Sequence, residues 1–151
     1  MRATLCLFCS ILLLLSGGMI YILFREEELL LYSFATDTFL GDIISSLRGA
    51  HFGIDMPLWL ANSLPDGLWS CSYILLMHGL MRPLGPKSML RWAIVIPLLG
   101  ATSELMQALG LLPGVFDIID LLFYTLPYIL YFIYITQNIN HHYGQRIGEI
   151  S

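Results

Sequence analysis

Two short motifs concentrate the residues that could do chemistry. Ser103-Glu104-Leu-Met-Gln107 and Phe116-Asp117-Ile-Ile-Asp120 each set polar side chains three or four positions apart, the spacing that puts them on one face of a helix. A further acid, Asp66, follows Ser63-Leu-Pro65. Carboxylates brought face to face repel unless a proton, a cation or a hydrogen-bond donor lies between them. Such a group can bind a cation or the head of an amphiphile, or it can work as an acid–base pair, with Glu104 and Asp120 in those roles.

Each acid also has a structural explanation. Asp117 at an N-cap and Asp120 at the third helical position would satisfy free backbone N–H groups and the helix dipole. Ser63-x-x-Asp66 matches a capping box, with Pro65 in the first turn, where proline is tolerated. Glu104 could be a protonated side chain joining two helices, with Gln107 as a donor on the same face. The face that begins with Asp117 and Asp120 continues through Tyr124, Tyr128, Tyr131 and Tyr134, a row of hydroxyls suited to bonds within a bundle.

Other chemistries are poorly supplied. His78 falls near the inner end of the second apolar run, away from the acids, so a Ser–His–Asp set is not expected. Cys6 and Cys9 have redox spacing but no second metal pair, and His141-His142 stands in a polar tail. There is no glycine loop for phosphates. No metal and no cofactor are expected. The net charge of −4 and the absence of a dense Lys/Arg cluster exclude nucleic-acid recognition through a basic face.

The elements that must carry these residues are membrane helices. The chain has 151 residues, 57% of them hydrophobic and only 12% charged, about half the charge of an ordinary soluble domain. Four runs approach the roughly 20 apolar residues that a span requires: 5–24, 64–81, 92–113 and 117–137. Glu104, six positions before Gly110, should then lie roughly 9 Å inside its helix end. Between the first two runs, Phe39, Leu40, Ile43, Ile44 and Leu47 form an apolar stripe opposite Thr38, Gly41, Asp42, Ser45 and Ser46. This predicts a short amphipathic helix over 37–48, lying on the outer membrane surface or over the bundle. The first run has signal-peptide features in Arg2 and Ser16-Gly17-Gly18, but it stays apolar through Phe24, which favours an uncleaved helix.

Charge asymmetry orients the chain. With both termini cytoplasmic, Arg2, Arg82, Lys87, Arg91 and Arg146 lie inside, and only Arg25 and Arg48 lie outside. Asp66, Ser103, Glu104, Gln107, Asp117, Asp120 and Tyr124 then lie toward the outer leaflet. The short connection after Leu111 makes the last two spans antiparallel neighbours. The expected protein is all-α: a single domain over 1–151, with four transmembrane helices, one surface helix and an acidic pocket open to the outside.

The stretch from Ser103 to Leu122 resembles the VanZ-like family of small bacterial membrane proteins, which pairs a Ser-Glu-x-x-Gln element with a following Phe-Asp-x-x-Asp element. Pro65-Asp66-Gly67-Leu68 is similar to that family's Pro-Asp-Lys-Leu. The likeness spans roughly residues 65–127. It implies a protein of the cell envelope, in a family associated with low-level glycopeptide resistance and lacking a settled biochemical activity. The chain departs at every basic partner: Gly67 and Ser70 replace Lys and His, and Gly114 and Val115 stand where the family has Arg. Tyr124 replaces Asn, and Pro127 a Gly. A mechanism that needs a basic partner therefore has none here. The residues lead to an accessory envelope protein of the plasma membrane that binds an amphiphile or cation. Alternatives are an intramembrane enzyme for a lipid-linked substrate, or a small subunit of a membrane complex. Membrane lipid and a partner membrane protein are the expected contacts.

Overall fold

Apolar side chains cover the outside of this protein, and small or polar ones fill its interior. On the first helix Leu5, Phe8, Leu12 and Leu15 are exposed, and Cys6, Ser10 and Gly17 are buried. This inversion is what a lipid environment favours, because tails solvate Leu and Phe and small residues let backbones approach. The computed structural model describes residues 3–24, 41, 43, 46 and 56–148, with side chains through Ile139.

The described residues form helices α1 (Ala3–Phe24), α2 (Leu58–Met81), α3 (Pro86–Ala93), α4 (Val95–Ala108) and α5 (Ile118–Gly148). A 3₁₀ turn over Arg82–Leu84 joins α2 to α3. No strand occurs among the described residues. Three stretches are long and apolar enough to cross a membrane: Ala3–Phe24, Pro86–Ala108 and Ile118–Ile139. Of the expected surface helix over 37–48, only Gly41, Ile43 and Ser46 are described; they are helical, and the rest lies outside the described residues.

Helix α2 is the innermost element. Its buried residues include Ala61, Ser63, Asp66, Gly67, Ser70 and Ser72. It runs antiparallel to α1, since Ser72 meets Ser10, Gly79 meets Cys6 and Trp69 meets Gly17. It runs parallel to α5, since Gly67 meets Phe123, Ser70 meets Tyr124 and His78 meets Tyr131. Helix α4 returns antiparallel to α5, with Gly100 against Tyr124 and Glu104 against Asp117. The bundle therefore has an end that carries Arg82, Lys87 and Arg91 and an opposite end that carries the acids.

Several boundaries differ from the sequence expectation. Helix α2 starts at Leu58, six residues before Leu64. The Pro57 carbonyl accepts the N–H groups of Leu60 and Ala61 at 2.9 and 3.0 Å. Ser63 and Asp66 are therefore interior residues, not a capping box, and Pro65 lies inside the helix. The third apolar run is interrupted at Ile94, between α3 and α4. Pro97 has no N–H for the Ala93 carbonyl, and the ladder resumes with Leu98 N–H donating to Ile94 O at 2.8 Å. The run also stops at Ala108, short of 113. Gly110 takes a φ of 68°, Gly110 N–H donates to Gln107 O at 3.0 Å and Leu111 N–H to Met106 O at 2.8 Å. That pair of bonds is a Schellman stop, and its left-handed position suits glycine.

Candidate functional site at the acidic end

Four elements meet at the acidic end: the first half of α2, the last turns of α4, the α4–α5 turn and the first two turns of α5. Asp117 is the N-cap of α5; its Oδ1 accepts the Ile119 N–H at 2.7 Å. Glu104 reaches across the hairpin, and its Oε2 accepts the backbone N–H of Asp117 at 3.1 Å. One acid thus caps the helix directly, and a second holds the capping residue from the neighbouring helix. Glu104 is only 6% exposed. It lies four residues before the end of α4, roughly 6 Å at the standard rise.

Tyr124 is the centre of the group. Its hydroxyl hydrogen-bonds the Asp66 carboxylate, and Asp120 and Glu104 are its acidic neighbours. The ring packs flat on Gly100, where any Cβ would collide with it. Ser70, fully buried, donates to the Tyr124 carbonyl at 2.9 Å. Asp66, 6% exposed, faces the bundle. The structure therefore brings Asp66, Glu104, Asp120 and Tyr124 together, with Asp117 bonded to Glu104 through its backbone. Ser103 is half-buried on α4. Gln107 lies against Gly114 in the turn.

Two polar atoms here stay unsatisfied. Asp120 Oδ1 and the Ser63 hydroxyl are buried and accept or donate no hydrogen bond. Ser63 has no exposed surface at all. Ser63-Leu-Pro65-Asp66 has the residue types of a cap, and nothing in that pattern signals the interior position of Ser63.

An apolar groove of about 520 Å³ opens beside the group, between α1, α2 and α4. Ile11 and Leu14 line one wall and Ile96 and Leu99 the other, with Trp69 and Ser72 between them and Tyr124 at its margin. Tyr124 thus borders both the groove and the acids. The groove could not be read from the sequence, because it depends on where α1 and α4 sit relative to each other.

Two further tyrosines of the α5 face are engaged in packing. Tyr128 donates to the Leu90 carbonyl at 3.2 Å, and the Tyr131 hydroxyl lies 3.1 Å from His78 Nδ1. Tyr134 is exposed. Cys6 is buried against Gly79. Among the described residues no group of three His, Cys, Asp or Glu is placed to hold a metal ion. Compared with known proteins, the chain matches no family model, no curated protein and no solved structure.

Proposed function

We propose that this chain is a four-span protein of the bacterial plasma membrane, with both termini cytoplasmic, and that its acidic end faces outward and binds an amphiphile in an accessory envelope role. The observation that carries this is the position of Tyr124, which joins an apolar groove of about 520 Å³ to Asp66, Glu104 and Asp120. A tail in the groove would set a polar head at the carboxylates. The groove favours an amphiphile over a bare cation, since it gives apolar surface that a cation does not use.

The fourth span is α2. Its 24 residues extend about 36 Å, enough to cross the hydrocarbon. It is too polar to pass as a span by hydropathy, but its polar residues are buried against α1 and α5, where membrane proteins keep such residues. The three described basic residues at the opposite end support the orientation. The likeness of Ser103-Glu104, Gln107 and Phe116-Asp117, Asp120 to VanZ-like motifs supports the envelope assignment.

Topology is tested by single cysteines in a chain whose Cys6, Cys9 and Cys71 are replaced. Position 88 should react with an impermeant maleimide only from the cytoplasmic side, and position 46 only from outside; the reverse pattern contradicts the orientation. Amphiphile binding is tested by extracting lipid from the purified chain. Wild type should retain lipid, and Ile11→Trp, which fills the groove from its exposed wall, should lose most of it.

A further inference from the structure

We propose that the amphiphile held at this site carries a primary ammonium group, which Asp120 and Ser63 bind; this rests on the groove reading above. Two independent observations point to it. The first is the surplus of negative charge at the start of α5. Glu104 and Asp117 each accept a backbone N–H there, and the helix terminus contributes only about +0.5 of a charge. Asp120 is left over: its Oδ1 is buried and bonded to nothing. The described basic residues, Arg82, Lys87 and Arg91, lie at the opposite end of the bundle.

The second is Ser63. Its side chain is 0% exposed and its hydroxyl has no partner. Gly67, one turn later on α2, packs on Phe123 of α5. The two helices run parallel, so Ser63 faces α5 at the level of Ile119 and Asp120, one turn before Phe123. Two unsatisfied buried oxygens thus belong to facing turns of adjacent helices. Orphaned buried polar atoms are uncommon and costly, and both of these lack a donor.

The chemistry of the missing partner follows. A carboxylate oxygen accepts only, and a serine oxygen can accept as well. One group that gives a hydrogen bond to each and cancels the charge is an ammonium with free N–H bonds. A trimethylammonium has the charge but no N–H to give. A phosphate or sulfate without an amine brings negative charge to carboxylates. The Tyr124 margin sets the direction: the amine sits among the outer turns, and the tail runs along Leu14, Ile11 and Leu99 toward the basic end.

The test uses the full chain in micelles and native mass spectrometry, with phosphatidylethanolamine, phosphatidylcholine and phosphatidylglycerol of matched tails. Wild type should retain phosphatidylethanolamine about tenfold better than either competitor, the scale of one charge-assisted hydrogen bond. Asp120→Asn should reduce that preference to within about twofold of parity, and Ser63→Ala should weaken it in the same direction. The wild-type comparison needs no variant to fold. Equal retention of all three lipids, or a preference that survives Asp120→Asn, overturns the ammonium proposal and leaves the groove reading standing. No retention of any lipid, or retention untouched by Ile11→Trp, overturns the groove reading and the ammonium proposal with it.

Discussion

The two halves of α2 handle polar side chains in opposite ways. Toward the basic end no buried side-chain oxygen or nitrogen among the described residues lacks a partner. Ser72 donates to the Ser10 carbonyl at 2.8 Å and lies 3.1 Å from the Ser10 hydroxyl. His78 meets Tyr131, and Tyr128 is tied to Leu90. These contacts are fully explained as joints between helices. Toward the acidic end, Glu104 and Asp117 close their bonds, but Ser63 and one oxygen of Asp120 do not. The difference separates packing from function better than residue type does. Serines and tyrosines occur in both halves, and among the described residues only Ser63 and Asp120, both toward the acidic end, leave a buried oxygen unused.

Glu104→Leu should cost the most. It removes the acceptor of the Asp117 N–H at the head of α5, and the loss should be about 1.5–3 kcal/mol, typical for a hydrogen bond to a charged group. Unfolding of the variant in mixed micelles measures it. Unchanged stability would mean that Glu104 does not hold the hairpin.

Gly100→Ala comes next. A Cβ at this position collides with the Tyr124 ring, and overpacking of this kind costs about 1–3 kcal/mol. The same variant should move Tyr124 away from Asp66 and reduce lipid retention. A stable variant with full retention would mean that the Tyr124 position is not needed.

The sharpest contrast is between two serines changed in the same way. Ser72→Ala breaks a closed pair and should destabilise by about 0.5–1.5 kcal/mol. Ser63→Ala removes a hydroxyl that bonds to nothing and should be neutral or stabilising, with a change of less than about 0.5 kcal/mol. Equal losses in the two variants would erase the distinction between the halves.

Much of the acidic end was legible from spacing alone. Asp117 and Asp120 lie on the first turn of α5, as a three-residue interval on a helix face requires, and the short turn after Leu111 does make α4 and α5 antiparallel neighbours. The tyrosine face was also readable: Tyr124, Tyr128 and Tyr131 turn inward, and only Tyr134 is exposed. The start of α2 was not readable, because Ser63-Leu-Pro65-Asp66 has the residue types of a cap, whereas the Pro57 carbonyl begins the helix earlier. Helix α4 looked longer because Leu111 and Leu112 continue the apolar run past Gly110, and hydropathy does not register a left-handed glycine. Ser63 and the groove were hidden for a common reason. Both depend on how separate helices are set against each other, which no local pattern encodes.

The central claim is that the ends of α2, α4 and α5 form one site continuous with the groove and filled by an amphiphile. A crystal structure of the full chain grown in a lipid phase tests it most directly. The predicted result is density for a head between Tyr124, Asp120 and Ser63, continuous with a tail between Ile11 and Leu99. A structure with the Glu104 side chain turned into lipid, more than a helix width from Asp120, or with the groove closed by α1 resting on α4, would contradict it.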